Sequence, residues 1–260
     1  MIHFLHKDLI NAVHAITINL IGCGGTGSHL ITKLARIDYS LRELEMPRLH
    51  VNVYDPDVVS KANIGRQMFM PSDIGYNKAQ IAVTRLNRAY GLEWQACPML
   101  FDSRLAEQRN HHANITISAV DTVEARYGID TIFNTDKPKR THITNQSFYW
   151  LDLGNTKNTG QIILGSHQIE QPQSKYETVK KLKTVIEKYP QLKDYETLER
   201  QGGSCSVAES LQQQDLFINS IMAEHAGNFL WKLFKNGNTN SAGLFVNLQN
   251  QKSQPIELVA

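Results

Sequence analysis

The chain has 260 residues, 41% hydrophobic and 20% charged, with a formal net charge of +2, which suits one α/β domain with a real core, or one with a small appendage. So small a net charge gives no argument for nucleic acid or an anionic membrane as a partner, though it leaves room for a local basic patch, and three cysteines without a C-x-x-C pair argue against a disulfide framework and a cysteine zinc site. No segment approaches transmembrane length, and residues 1–15 carry His3, His6, Lys7, Asp8 and His14 instead of a signal-peptide apolar core, so the expectation is a cytoplasmic protein away from membranes.

Residues 1–15 read as a short helix or arm with Phe4, Leu5, Ile10 and Val13 available for docking. Ile16–Ile21 is an apolar strand running into Gly22-Cys-Gly-Gly-Thr-Gly-Ser28 and then a helix to about residue 37. Gly22, Gly24 and Gly27 satisfy G-x-G-x-x-G in the strand–turn–helix context that gives the pattern meaning. The glycines allow a tight turn, close approach of a nucleotide and close packing of helix on strand. Peptide N–H groups at the helix start suit an anionic ligand. A glycine turn that merely packs a helix on a sheet is the plainer alternative.

Residues 41–48 read as a connection ending near Pro47, and residues 50–54 as a second strand stopping at Asp55-Pro56-Asp57. An acidic residue at that strand end accepts ribose hydroxyls in dinucleotide folds. Asp55 fits the role at a spacing longer than the usual ~20 residues; Asp-Pro also simply favours a turn. A polar loop with Asn63, Arg66 and Gln67 follows, then Asp73-Ile-Gly and a helix from about residue 77 to 90. Lys78 in the first turn opposes the helix dipole, so it either points to solvent or sits by a phosphate. Arg66 and Lys78 are candidates for polyphosphate neutralisation, by guanidinium fork and by point charge; either is also an ordinary surface charge.

Residues 92–98 are a weak strand and residues 114–120 a buried one, ending at Asp121 before a helical stretch at 123–127. Asp121 at the carboxyl end of a strand suits a Mg²⁺ site shared with substrate phosphates, or the cap of the next helix. Residues 141–145 and 160–165 read as further strands. Residues 168–203 turn rich in Gln, Lys, Glu and Tyr and read as a crossover or lid insertion within one domain of residues 1–260. Gly202-Gly-Ser-Cys-Ser206 leads into a long helical run at 207–234, with apolar residues at helical spacing that mark core or subunit interface. Residues 244–248 and 256–259 close the chain as antiparallel edge strands.

Gly22-x-Gly-Gly-x-Gly-Ser28, Asp55-Pro-Asp57, Asn63-x-x-Arg66-Gln67, Asp73-Ile-Gly-x-x-Lys78-Ala79 and Asp121-x-x-x-x-Arg126 occur in one order. This set, over about residues 16–165 and again 203–248, resembles the ThiF/HesA/MoeB family, the adenylating fold of the ubiquitin-activating enzymes. Among subgroups it is most similar to the ThiF-related proteins of PRTRC cassettes, found beside a ubiquitin-like protein and a JAB-type peptidase. The resemblance implies a Rossmann-like, doubly wound, mostly parallel sheet with helices on both faces and an antiparallel C-terminal extension.

It further implies that the C-terminal carboxylate of a small ubiquitin-like protein is adenylated by Mg·ATP. Gly22, Gly24, Gly25, Gly27 and Ser28 would cradle the nucleotide and Asp55 would hold the ribose, with Asp57 beside it. Asn63, Arg66, Gln67 and Lys78 would surround the triphosphate and Asp121 would hold Mg²⁺. A carboxylate is already ionised at neutral pH, so no general base is needed. Cys205 sits where ThiF carries its sulfur-bearing cysteine, before a helix that would favour its thiolate; it would take the acyl group as a thioester, or do no chemistry. Cys23 and Cys97 read as packing residues. A homodimer is implied, along with a conjugating-enzyme-like acceptor. The family's two C-x-x-C pairs are absent, so no zinc is expected. Homodimeric relatives supply an N-terminal arginine to the partner's ATP; here the first arginine is Arg36, so Lys7 stands in or the contact is missing.

Three other functions compete. A Rossmann dehydrogenase binding NAD(P) leaves the Asn-Arg-Gln loop and Lys78 unexplained. A family-type dehydratase acting on a modified tRNA base favours a more basic face. A non-catalytic docking module has no need of so many charged positions.

Overall fold

The computed structural model describes residues 1–135, 146–195 and 214–259. Its elements run β1 (His3–Phe4), α1 (Lys7–Ile10), β2 (Ile16–Ile21), α2 (Gly25–Glu43), β3 (Leu49–Tyr54), α3 (Lys78–Tyr90), β4 (Gln95–Cys97), β5 (Ile115–Ser118) and α4 (Val123–Thr135). After these come β6 (Tyr149–Asn155), β7 (Thr159–Ser166), α5 (Val185–Lys188), α6 (Ile218–Asn236), β8 (Asn238–Thr239), β9 (Ser241–Asn247) and β10 (Lys252–Glu257). Eight strands form one sheet in the order β10-β9-β7-β6-β5-β2-β3-β4, and β1 pairs with β8 apart from it. From β4 to β6 all pairings are parallel; β6-β7, β7-β9 and β9-β10 are antiparallel. This is the doubly wound, mostly parallel sheet with an antiparallel extension expected from the sequence.

Strand periodicity divides the core. Alternate side chains point to opposite faces, so Ile18, Leu20, Val51, Val53 and Leu151 join α2, α3 and α6 in one cluster. Ile21, Tyr54, Trp150 and Ile163 join α4 and Phe101 in the other. The helices α2 and α6 cross closely at Gly227, where a Cβ would stand 2.9 Å from Lys33 Cβ; Lys33 also pairs with Glu224 beside that crossing.

Several boundaries differ from the sequence reading. The helix α2 continues to Glu43 instead of stopping near residue 37, because Leu41 extends its buried face. It then meets Glu45 at φ 56° and Pro47. The strand beside β5 is β6, in which Tyr149 to Leu153 are all buried; the expected strand at 141–145 lies outside the described residues. The long helix is seen from Ile218, and 214–217 precede it without helical structure. In the arm, Leu5 and Leu9 are the docking residues, whereas Val13 is 89% exposed. From residue 168 to 184 the chain forms no helix and no strand beyond an isolated bridge at Thr178, and it buries Ile169, Val179 and Leu182 before α5.

Candidate functional site

The sheet order reverses at β2, whose neighbours are β3 on one side and β5 on the other. Ligands of open α/β sheets bind at such a switch point, outside the carboxyl ends of the strands, and there the glycine turn lies. Gly22 has φ +87°, and a Cβ on it would stand 2.6 Å from Ala119 O. A Cβ on Gly27 would stand 1.9 Å from Gly22 O, so only glycine lets α2 start this close to β2. Above the turn, a Cβ on Gly24 would meet only Gln67 Nε2, at 3.9 Å. That leaves an open cradle.

The acidic turn after β3 is tied to the glycine turn. Cys23 N–H donates to Asp55 Oδ2 at 2.6 Å, and Asp57 N–H donates to Asp55 Oδ1 at 2.9 Å. Asp55 therefore builds the turn itself, while a carboxylate has further lone pairs to offer a ligand. Burial raises its pKa above the usual carboxylate value, opposed by the Lys78 charge and those two N–H groups. Burial also raises the Cys23 thiol, with Asp55 adding to it; this cysteine is a packing residue.

Lys78 does not point to solvent. Its side chain is 9% exposed and its Nζ donates to Asp57 Oδ2 at 2.8 Å, so a carboxylate compensates the cation at the start of α3. Asn77 caps that helix by accepting from Gln80 N–H, and its Nδ2 reaches the carbonyls of Asp55 and Asp57. One short segment thus brings Asp55, Asp57 and Lys78 against the glycine turn.

The loop carrying Arg66 and Gln67 is fastened to the first turn of α2. Ser28 Oγ donates to Gly25 O and accepts from Met68 N–H, and the His29 ring Nε2 lies 3.2 Å from Arg66 O. Gln67 is buried; its Oε1 and Arg66 Nε are buried without a hydrogen-bond partner among the described residues. Burial lowers the Arg66 pKa. Unsatisfied buried polar atoms are uncommon and ask for an explanation; two of them at one rim, beside an open cradle, fit the oxygens and nitrogens of a nucleotide. Asn63 is not aimed at the turn: its Oδ1 accepts from Ser60 N–H and Oγ, which fixes the loop's 3₁₀ turn.

Asp121 follows β5 and is exposed. The cap of α4 is Thr122, whose Oγ accepts from Ala125 N–H, so Asp121 is not spent on capping. No group of three or more metal-binding side chains occurs among the described residues. One carboxylate here is a donor set that suits Mg²⁺ only in company with phosphate oxygens. Cys205, Gly202 and Gly203 lie outside the described residues.

Ser118, Asp152, Asn155, Gln214 and Asn219 escaped the sequence reading, and Arg126 had entered it only as part of a motif. Arg126 Nε pairs with Asp152 at 3.0 Å, and Ser118 Oγ donates to the same carboxylate at 2.6 Å, a buried lock under the carboxyl ends of β5 and β6. Asn155, Gln214 and Asn219 gather beside Thr26. Asp152 within an apolar strand, and Asn219 on the Met222/Ala223 face of an apolar helix, were the signals. A groove of about 700 Å³ lined by Phe229, Lys232, Asn238 and Gln254 among others contains none of these side chains. Volume and chemistry point to different places, and the buried charges favour the rim. No described helix is long and apolar enough to cross a membrane.

Comparison with known proteins agrees with this geometry. The ThiF family model matches residues 1–257. A mouse protein, ubiquitin-like modifier-activating enzyme 6, is 30% identical over 134 residues, 48% of this chain and 12% of that one. The crystal structure of PaaA superposes with a TM-score of 0.57 at 14% identity, over 96% of this chain and 64% of that one. Escherichia coli MccB with ATP gives 0.56 at 15% identity, over 96% and 65%. The chain thus spans about two thirds or less of these relatives' lengths, and the structural likeness concerns the fold.

Proposed function

The chain belongs to the ThiF family, and on that premise we propose that it is an ATP-dependent adenylating enzyme. Its substrate would be the C-terminal carboxylate of a small ubiquitin-like protein. The observation that carries the reading is the placement of Arg66, Gln67 and Lys78 around the glycine turn and the start of α2, with Arg66 Nε and Gln67 Oε1 buried and without a hydrogen-bond partner among the described residues. A neighbour of the same fold was crystallised with ATP.

Bound there, ATP would supply an α-phosphoryl group for transfer to the carboxylate, with pyrophosphate leaving and a mixed anhydride formed. Two anions must meet, so cancelling charge is the chief catalytic need. The cradle of Gly22, Gly24, Gly25 and Gly27 would admit the nucleotide to peptide N–H groups. Asp55 would accept the ribose hydroxyls with its remaining lone pairs. Arg66 and Lys78 would neutralise the triphosphate, Gln67 Nε2 would donate a hydrogen bond to it, and Asp121 would hold Mg²⁺ against it. Cys205 would receive the acyl group as a thioester with release of AMP, before an acceptor of conjugating-enzyme type takes it. A homodimer is part of the proposal.

Exchange of labelled pyrophosphate into ATP tests this. Exchange is expected only when the cognate ubiquitin-like protein is present, and to be lost in Arg66→Ala and Asp121→Ala with the fold intact by circular dichroism. Cys205→Ala is expected to keep exchange and to lose any thiol-sensitive conjugate. Normal exchange in both Arg66→Ala and Asp121→Ala would show that the nucleotide binds elsewhere.

A further inference from the structure

We infer that Gln214 is a positioning residue that aims the Arg66 guanidinium at the nucleotide while leaving its charge unspent; the inference rests on the adenylation reading of this rim. Arg66 Nη1 donates to Gln214 Oε1 at 2.5 Å. The same Oε1 accepts from Asn219 Nδ2 at 3.2 Å. Asn219 is 2% exposed. Its Oδ1 faces the Thr26 hydroxyl at 3.1 Å, and a Cβ on Gly25 would stand 2.5 Å from that Oδ1. The chain of contacts therefore runs from the guanidinium through two amides to the first turn of α2, where the adenylation reading would seat the phosphates.

The choice of an amide decides what Arg66 can do. A guanidinium has five N–H donors in a fixed fork. Gln214 engages one edge and sets its direction, while Nε stays buried without a partner among the described residues. A carboxylate of the same length at 214 would make a charge-assisted pair with Arg66. That pair would satisfy the guanidinium before any phosphate arrived and would add a negative charge where the triphosphate must sit. Glutamine keeps the geometry without the neutralisation. Among the described residues, no other acceptor meets the Arg66 side chain. Asn219 makes this possible by fixing the Gln214 amide, since its Nδ2 can only donate and so presents Oε1, not Nε2, to the arginine.

The test is calorimetric titration of the full-length chain with Mg·ATP and, separately, with adenosine. Gln214→Glu is expected to weaken Mg·ATP about ten- to a hundredfold, the range for hydrogen bonds to charged groups, and to leave adenosine within about twofold. Gln214→Met, which keeps the side-chain length and removes the acceptor, is expected to weaken Mg·ATP less than Gln214→Glu does. In the Arg66→Ala background, Gln214→Glu is expected to cost no more than the repulsion of one added charge, a smaller factor that 0.5 M salt removes. Equal losses for adenosine and Mg·ATP in Gln214→Glu would overturn the inference, showing general damage to the rim. So would wild-type Mg·ATP affinity in Gln214→Glu when Arg66→Ala is impaired. Wild-type affinity in Arg66→Ala itself would instead overturn the adenylation reading.

Discussion

Lys78 and Asp57 hold each other at 2.8 Å, although the lysine side chain is 9% exposed and the aspartate side chain 65%. The partners are unequal: the carboxylate can turn outward to water, while the ammonium stays under the rim. An incoming triphosphate would displace the carboxylate. Lys78→Met, which keeps the stem packed, is expected to weaken Mg·ATP binding about tenfold or more with little change in urea midpoint. Asp57→Asn is expected to bind Mg·ATP at least as tightly as wild type; a tenfold loss there would mean that Asp57 itself serves the ligand. The Arg126–Asp152 pair behaves differently. Both side chains are buried, and Ser118 and the Val120 carbonyl complete their hydrogen bonds. Removing one partner strands a buried charge, so Asp152→Ala is expected to cost about 3–5 kcal/mol in urea unfolding.

Among the elements, the turn joining β2 to α2 sets the tolerance of the site. Gly27→Ala would drive a Cβ into Gly22 O and push α2 off β2, costing about 3 kcal/mol or more. Gly24→Ala has room and is expected to unfold within about 1 kcal/mol of wild type, yet to lose Mg·ATP because the methyl group fills the cradle. Equal unfolding midpoints for the two variants would show that the turn is not packed as described. This turn was fully legible in the sequence, because G-x-G-x-x-G has a local steric cause. So were β3 with its Asp55 stop and the Asn77–Lys78 start of α3. Asn155, Asn219 and Gln214 were not: the first two meet Thr26 across 129 and 193 residues of chain and Gln214 meets Arg66 across 148, and no local pattern announces contacts of that separation. The end of α2 was misplaced because charged residues after Ile37 hid Leu41, whose burial is a tertiary effect. Asn63 matched a motif but its Oδ1 serves its own loop, and Asp152 went unread because residues 149–155 had not been assigned to a strand.

Across the whole molecule, the N-terminal arm is clasped to the sheet by a directed chain of hydrogen bonds. His6 N–H donates to Tyr149 Oη, Tyr149 Oη lies 3.1 Å from His3 Nε2, and His3 Nδ1 lies 2.6 Å from the Val179 carbonyl. The neutral imidazole fits, with Nδ1 donating and Nε2 accepting. Burial holds the His3 pKa below 6.5, against a smaller opposing effect of that carbonyl. The unfolded chain thus takes up a proton that the folded chain refuses. Stability from this residue is full above pH 6.5 and falls as pH drops through that value toward the lowered one, by up to about 1.4 kcal/mol per pH unit for each such proton. Melting temperature is expected to drop between pH 7 and pH 5, and His3→Gln to flatten that drop; an unchanged slope would place the acid sensitivity elsewhere, at His6 or His29.

The fold class, the switch point and the charged rim form one arrangement in which a mostly parallel sheet brings Arg66 from a loop and Lys78 from the start of α3 to the turn that opens α2. Its most direct test is a crystal structure of the protein with Mg·ATP. The expected density places the phosphates over Gly24, within hydrogen-bond distance of Arg66 Nε and Lys78 Nζ, with the ribose against Asp55. Nucleotide bound in the groove beside Phe229 and Lys232, or ordered at the rim with Arg66 and Lys78 turned away from it, would contradict the account.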